Sequence, residues 1–321
     1  MNHKNSKIQI DRIKTIVSES YGIAEQFECS FIRRSFNDHY LIKTEHEKYV
    51  LRVYLNDKYY IDSAADIHFE LKYLNFLKSR NISVATPIKN LEGGLVTQIS
   101  SSTETRMIAL FSYADGEPLD YILDTDIAMK FGEQIAKLHI ESNYFKFDQN
   151  RYNINTSYLI DEPIEMLKIL SKEYSIKNCD FFDSYAKHLV SSLNEIPINN
   201  STFGLIHADL NPSNVHVDEN DEITIFDFDH CATGLRIHDL AVTKLCYDKN
   251  TYNIILSSYK SIKDLSALEE KHIGVYSKAL MLRKNKDVLS MQRILDPETV
   301  KGFNEKEYVI RAIESLHDLM T

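Results

Sequence analysis

Four polar residues close together in the sequence have the types and the spacing that phosphoryl transfer requires. His207 directly follows a short apolar run, and Asp209 lies just beyond it. Asn214 comes after a turn sequence, and Asp227 ends a later apolar run. Two carboxylates and an amide oxygen are hard ligands of the kind that Mg²⁺ prefers. In phosphoryl transfer, one carboxylate orients the attacking hydroxyl, and the other oxygens hold metal ions that bridge the phosphate oxygens.

Short strands and tight turns are needed to bring these side chains together. The apolar run at 203–206 predicts a strand, and an Asn-Pro-Ser sequence after it predicts a turn. Residues 215–217 and 223–226 predict a hairpin. In this arrangement the two carboxylates and the amide converge on one point. The alternative is that these Asp and Asn residues only cap turns, but turn capping does not require this order and spacing.

Near residue 113 the predicted secondary structure changes from mostly strands to mostly helices. The elements predicted upstream are a helix at 8–21, strands within 27–55 that include a hairpin, a helix at 64–80, and strands at 94–98 and 106–113. Downstream the chain is mostly helical, beginning with a helix at 125–141, apart from the strand-rich stretch at 203–229. After Asp239 the pattern is helical again.

This change predicts an α+β protein with two lobes. The N-terminal lobe, residues 1–113, is a small antiparallel sheet with one main helix and binds the nucleotide. The C-terminal lobe, residues 114–321, is larger and mostly helical, and it carries the catalytic and acceptor-binding residues. Two such lobes joined by a short hinge are expected to hold ligands in the cleft between them.

A family resemblance supports this interpretation. The sequence from His207 to Asn214, followed by Asp227-Phe228-Asp229, resembles the catalytic signature of the aminoglycoside phosphotransferase and choline kinase-like superfamily. This superfamily includes type II homoserine kinases and is similar in fold to protein kinases. The resemblance implies that Asp209 is the catalytic base and that Asn214 and Asp227 bind Mg²⁺. It also implies that His207 braces the loop and that Asp239 has a structural role.

A kinase of this fold also needs a cation on the third strand of the N-terminal lobe. The stretch at 48–54 carries Arg52 there instead of the usual lysine, and arginine binds phosphate bidentately. Glu70, on the helix predicted at 64–80, matches the glutamate that pairs with this cation. The alternative for Glu70 is an exposed helix charge.

Two further parts of the nucleotide site follow from position in the chain. The loop that covers the phosphates is expected at 33–38, which contains no glycine, in contrast to the Gly-rich loop of protein kinases. Ser35 and Asn37 are the candidate donors there. Backbone groups at the end of the last N-terminal strand are expected to bind the adenine edge, namely those of Phe111, Ser112 and Tyr113.

Composition excludes several other classes of protein. A formal net charge of -10 argues against sequence-independent nucleic-acid binding. The four cysteines form no C-x-x-C pair, which is typical of reduced thiols in the cytoplasm. Residues 1–14 lack the apolar segment of a signal peptide, and no apolar run is long enough to cross a bilayer. We therefore expect a cytoplasmic protein, a monomer or homodimer, without nucleic-acid or membrane partners.

The sequence thus predicts a kinase that uses ATP and Mg²⁺ to phosphorylate a hydroxyl of a small molecule. Amino alcohols, amino acids, sugars and aminoglycosides are the candidate acceptors. One alternative is a protein Ser/Thr kinase of the stress-response type, and another is a pseudokinase that only binds nucleotide. A third is a haloacid-dehalogenase-type phosphatase with Asp227-Phe228-Asp229 as its Asp-x-Asp loop.

Overall fold

The structure is a computed structural model that describes residues 5–24, 26–101, 104–119, 123–148, 151–177 and 179–319. The chain divides into two compact units. The first comprises Met1–Asp115 and Ser290–Gly302, and the second comprises Gly116–Leu289 and Phe303–Thr321. Ser290–Gly302 thus groups with N-terminal residues, whereas the sequence placed it in the C-terminal lobe. The lobe boundary at residue 113 stays a prediction.

The first unit is built on an antiparallel sheet of six strands among the described residues. Its elements are α1 (Ile10–Tyr21), β1 (Glu28–Arg34), β2 (Asn37–Lys43), β3 (Lys48–Tyr54), α2 (Ala64–Ser79), β4 (Pro87–Ile88), β5 (Thr97–Ser100) and β6 (Thr105–Ser112). The strand order is β1-β2-β3-β6-β4, and β5 also pairs with β6. The hairpin and both helices predicted here are confirmed.

The core of this unit explains why α1 folds onto the sheet. Three adjacent strands each bury two side chains that are two residues apart, and such residues point to one face of a sheet. These six residues are Tyr40, Ile42, Leu51, Val53, Ile108 and Leu110. The apolar face of α1 packs against them through Ile13, Ile16 and Val17. α1 ends at Gly22, whose left-handed backbone (φ 67°) lets its N–H bind Ser18 O.

The second unit contains two small sheets surrounded by helices. Its elements are β7 (Glu117–Pro118), α3 (Thr125–Glu141), β8 (Asn153–Ile154), α4 (Glu162–Glu173), α5 (Phe182–Leu193), β9 (Phe203–Ile206), β10 (Val215–Val217), β11 (Ile223–Ile225), β12 (Ala232–Leu235), α6 (Ile237–Cys246), α7 (Lys249–Ile262), α8 (Ala267–Ile294, up to Leu289 in this unit) and α9 (Glu305–Asp318). In the part of the chain that the structure describes, no helix has both the length and the apolar character needed to cross a membrane.

The two small sheets position the loops that carry the candidate catalytic residues. In one sheet β12 pairs antiparallel with β9 and parallel with β8. In the other, β10 pairs antiparallel with β11 and with β7. The predictions of β9, β10 and α3 are confirmed, and β11 ends one residue earlier than predicted. The sequence did not predict β7, β8 or β12, because β7 and β8 have only two residues each and β12 (Ala-Thr-Gly-Leu) contains little apolar sequence.

The contact between α3 and α7 leads to a stability prediction at Gly132. A Cβ atom at Gly132 would lie 2.2 Å from Ile255 O and 2.9 Å from Ser258 Cβ. We expect Gly132→Ala to lower the free energy of unfolding by about 2 kcal/mol, because the two helices must move apart. Chemical denaturation measures this change.

Gly274 in α8 provides the matched control. The nearest atom to an added Cβ there is the flexible Lys244 Nζ, at 3.4 Å. Gly274→Ala should therefore stabilise the protein by about 0.5–1 kcal/mol, as alanine does in an open helix position. A similar effect of both substitutions would contradict the close approach of α3 and α7.

Candidate active site

Asp209 lies on the loop between β9 and β10, and two asparagine side chains hold its carboxylate. Asn211 Nδ2 donates to Asp209 Oδ1 at 3.0 Å, and Asn214 Nδ2 donates to Asp209 Oδ2 at 2.9 Å. Asn214 Nδ2 also donates to Asp209 O at 2.9 Å. Both of these hydrogen bonds come from the amide nitrogen of Asn214, and neither involves its amide oxygen. The structure thus brings Asp209 and Asn214 into direct contact.

Asp227 directly follows Phe226 at the end of the hairpin, in a left-handed conformation (φ 64°). Phe226 N–H donates to Asn214 O at 2.9 Å, which ties this end of the hairpin to residues 207–214, the predicted catalytic loop. Burial raises the pKa of Asp209 to about 7; the positive charge of Arg283 opposes this, and the negative charge of Asp227 adds to it. The three predicted residues therefore lie in one region of the second unit, and their roles stay predictions.

His207 links the catalytic loop to the hairpin. Its Nδ1 accepts from Asp209 N–H at 3.2 Å, and its Nε2 donates to Phe226 O at 2.9 Å. This pair of contacts requires the neutral imidazole with its proton on Nε2. The ring also lies 4.3 Å, between centroids, from that of Phe228. His207 thus contacts both segments of the motif, as bracing of the loop requires.

Asp239, near the start of α6, holds the beginning of the catalytic loop from inside the protein. Its fully buried carboxylate accepts from the N–H groups of His207 and Ala208, each at 2.9 Å, and contacts His139 Nε2 at 3.0 Å. Burial alone would raise the pKa of Asp239, but the hydrogen bond from His139 holds it well below its ordinary value. Asp239 is therefore an ionised structural anchor.

Asp239→Asn should destabilise the protein. An amide has only one acceptor oxygen, so its NH₂ group would face a backbone N–H that the second carboxylate oxygen now binds. We expect the free energy of unfolding to fall by about 2–3 kcal/mol, because a buried donor loses its partner. Urea denaturation measures it. As a control, Asp248→Ala removes an exposed cap of α7, and an equal loss in both variants would contradict the anchoring role of Asp239.

Sequence reasoning missed a further residue of this site, Arg283 on α8. Its Nη1 donates to Ala208 O at 2.7 Å, and its Nη2 donates to His230 Nδ1 at 3.0 Å. Its Nε lies 3.4 Å from Asp287 Oδ2. Nothing in the sequence singles out one arginine in a long helix that begins far beyond the motif.

In the first unit, the structure pairs Arg52 of β3 with Glu70 of α2. Arg52 Nη1 lies 2.5 Å from Glu70 Oε1, and both residues are buried. Tyr54 OH donates to Glu70 Oε2 at 3.2 Å. The guanidinium of Arg52 also lies 4.7 Å from the ring centre of Phe111. The alternative of an exposed charge at Glu70 is therefore wrong, whereas the role of the pair in nucleotide binding stays a prediction.

The other predicted nucleotide residues are also in the first unit. Ser35 lies in the tight turn between β1 and β2, where its N–H donates to Asn37 O at 3.0 Å. Asn37 is buried, and its Oδ1 accepts from Lys58 Nζ at 2.8 Å. Ser112 ends β6, and its N–H donates to Thr86 O at 2.8 Å. That N–H is thus already bonded within the protein, and the adenine-binding roles of Phe111, Ser112 and Tyr113 stay predictions.

The ligand set suits a divalent metal that is shared with a phosphate. Among the described residues, no group of three or more His, Cys, Asp and Glu side chains is placed to hold a metal. The amide oxygen of Asn214 and the carboxylate of Asp227 would provide two hard oxygen ligands. Mg²⁺ typically takes one or two such protein ligands and fills its other positions with phosphate oxygens and water. The residues present therefore fit this ion.

The phosphatase alternative requires a different sheet around Asp227. A haloacid-dehalogenase-type Asp-x-Asp loop ends the first strand of a parallel sheet. The strand before Asp227 is β11, which pairs antiparallel with β10. The surroundings of Asp227-Phe228-Asp229 thus do not match that class.

Comparisons with known proteins show the family. The sequence model of the phosphotransferase enzyme family matches residues 30–252, and the chain therefore belongs to this family. An uncharacterized protein of Synechocystis sp. is 27% identical over 313 residues, which cover 96% of this chain and 84% of the relative. A homoserine kinase of Neisseria meningitidis serogroup B is 22% identical over 258 residues, which cover 77% of each chain.

A solved structure supports the fold. The amicoumacin kinase hAmiN in complex with AMP-PNP, Ca²⁺ and Ami has a TM-score of 0.75 to this chain and is 17% identical. The match covers 97% of this chain and 94% of the other. The α+β, protein kinase-like fold is thereby confirmed, and the match of the family model confirms the family resemblance inferred from the motif.

Proposed function

We propose that the protein transfers the γ-phosphoryl group of ATP to a hydroxyl of a small molecule. The observation that carries this proposal is the Asp209 carboxylate, held by Asn211 and Asn214 beside the charge of Asp227. Because hydrogen bonds hold both of its oxygens, this carboxylate is already oriented before the substrate binds. Such preorganisation of a reacting group lowers the barrier to the reaction.

In the reaction, Asp209 accepts the proton of the acceptor hydroxyl as that oxygen attacks the γ-phosphorus in line. The new O–P bond forms while the bond between the γ-phosphorus and its bridging oxygen breaks, and ADP leaves. Asn214 and Asp227 would hold Mg²⁺, which would neutralise charge on the phosphate oxygens. His207 and Asp239 keep the loop backbone in place through their hydrogen bonds.

We assign the binding of the ATP phosphates to Arg52. The guanidinium carries a permanent charge and donates through a planar fork, which matches the geometry of phosphate oxygens. Its hydrogen bond to Glu70 fixes the orientation of this fork. Among the predicted loop residues, Asn37 is already engaged by Lys58, so Ser35 is the better candidate for a direct phosphate contact.

The acceptor is a small molecule that carries a hydroxyl. The relatives support this class, since one is named for homoserine and another for amicoumacin. Amino alcohols, amino acids, sugars and aminoglycosides are the compounds to test. A protein substrate and a purely nucleotide-binding role are the competing proposals, and the same assay separates them.

The test is a screen of the purified chain with ATP and Mg²⁺ against a panel of these four classes. ADP formation is followed with a coupled enzyme assay, and phosphorylated products are identified by mass spectrometry. We expect acceptor-dependent ADP formation and a phosphomonoester product. Phosphate transfer only to added proteins would support the protein kinase, and ATP binding without any transfer would support the pseudokinase.

A further inference from the structure

We propose that Arg283 is a positioning residue, which holds the catalytic loop and the loop after β11 at a fixed separation. Its catalytic significance rests on the proposed function, whereas its effect on loop order does not. Arg283 lies in the middle of α8 and belongs, like both loops, to the second unit. Only 6% of its side chain is exposed.

One end of the guanidinium fixes the peptide group that precedes Asp209. Arg283 Nη1 donates to Ala208 O at 2.7 Å, and His238 Nε2 lies 3.1 Å from the same oxygen. The N–H of this planar peptide group belongs to Asp209 and donates to His207 Nδ1 at 3.2 Å. Both polar atoms of the peptide are thus held, and its orientation sets the direction in which the Asp209 side chain leaves the backbone.

The conformation at Ala208 shows why such restraint is needed. Ala208 has φ 67°, a left-handed conformation that a residue with a Cβ atom seldom adopts. Such a conformation persists only where the surrounding contacts determine it. Here Asp239 Oδ1 binds the Ala208 N–H at 2.9 Å, and Arg283 binds its carbonyl on the other side. Loss of Arg283 would remove the charged donor that binds the Ala208 carbonyl.

The other end of the guanidinium reaches the loop that carries Asp227. Arg283 Nη2 donates to His230 Nδ1 at 3.0 Å, and His230 O accepts from Tyr152 OH at 2.7 Å. Asp287 Oδ2 lies 3.4 Å from Arg283 Nε and forms an ion pair with the guanidinium. One rigid fork therefore contacts both loops, and its width helps to set the distance between Asp209 and Asp227.

Arg106 in the first unit provides a matched control for a purely structural role. Its side chain is also buried, with 7% exposed, and it donates to a backbone oxygen, that of Ser6, at 2.8 Å. It also pairs with a carboxylate, since its Nε lies 3.3 Å from Glu104 Oε1. Arg106→Ala removes a comparable set of contacts within the first unit, whereas Asp209 and Asp227 belong to the second.

The experiment compares Arg283→Ala and Arg106→Ala with the wild-type full chain. For Arg283→Ala we expect kcat to fall by about 10²-fold while KM for ATP stays within about twofold, because misplaced reacting groups slow the chemical step. Added guanidinium ion should restore part of the kcat of Arg283→Ala. Hydrogen exchange should become faster in peptides that cover residues 207–214. Arg106→Ala should lower the melting temperature without changing kcat per folded molecule or exchange in that loop.

The outcomes separate this inference from the proposed function. Unchanged kcat and unchanged loop exchange in Arg283→Ala would overturn the inference while leaving the kinase proposal intact. If wild-type protein transfers no phosphate but Arg283→Ala still speeds exchange at 207–214, the proposed function fails and the positioning role holds. If Arg283→Ala does not fold, Arg283→Lys decides: it keeps the charge but lacks the fork, so a kcat equal to wild type would overturn the inference.

Discussion

Asp209→Ala is expected to lower kcat by about 10³-fold, because no other group replaces a positioned general base. The dissociation constant for ATP should stay within about twofold, since the role assigned to Asp209 is to orient the acceptor hydroxyl and not the nucleotide. Asp209→Asn tests the same point with less disturbance of shape. Its amide cannot accept the proton, and its NH₂ group would face one of the two asparagine amides that now bind the carboxylate. Steady-state kinetics and nucleotide titration measure both quantities.

Asp218 provides the control for Asp209, because it is an aspartate of the same hairpin region with a local role. Its Oδ1 accepts from the N–H groups of Asn220 and Glu222, at 2.8 and 2.9 Å, and so closes the turn between β10 and β11. Asp218→Ala should loosen that turn and leave kcat close to wild type. Wild-type turnover in Asp209→Ala, or an equal loss in Asp218→Ala, would show that Asp209 is not the base.

Arg52→Ala is expected to destabilise the first unit and to weaken ATP binding. Removal of Arg52 takes a charged partner away from the buried Glu70 carboxylate, and breaking a buried ion pair typically lowers stability by about 3–5 kcal/mol. KM for ATP should rise at the same time, because the proposed phosphate ligand is lost. Thermal unfolding, with hydrogen exchange of the β3 and α2 peptides, measures the first effect, and kinetics measure the second.

Two further variants help to separate the effects of Arg52 on stability and on ATP binding. Arg52→Lys keeps a charge near Glu70, so it should recover most of the stability but less of the ATP affinity, because lysine lacks the bidentate fork. Lys43→Ala removes an exposed cation that lies 3.8 Å from Glu28 on the neighbouring strand, and it should have little effect on either quantity. Unchanged ATP affinity in Arg52→Ala would place the phosphate site elsewhere.

The sequence predicted the parts of this fold that have long or regular patterns. Apolar residues of α3 recur with helical spacing, and the helix begins and ends at the predicted residues, Thr125 and Glu141. The hairpin between β2 and β3 alternates around a polar turn that Thr44 and Glu47 close with a hydrogen bond of 2.9 Å. The catalytic motif was found because its residue types and order are both restrictive.

Features that depend on distant contacts were not predictable. Arg283 and Ala208 are 75 residues apart, and no local pattern reports their hydrogen bond. The same holds for the burial of Glu70, because the charge of a helix residue does not reveal which face packs inward. At Asn37 the phosphate contact stays a prediction, and the structure adds a contact of its Oδ1 with Lys58, a residue that sequence reasoning did not consider.

Binding of Mn²⁺ in the presence of AMP-PNP, followed by electron paramagnetic resonance, tests the central claim most directly. That claim is that Asn214 and Asp227 hold a divalent metal beside Asp209. We predict that Asp227→Asn and Asn214→Ala each weaken Mn²⁺ binding by about tenfold or more, whereas Asp218→Ala binds it as the wild type does. Wild-type Mn²⁺ affinity in both Asp227→Asn and Asn214→Ala would contradict the account.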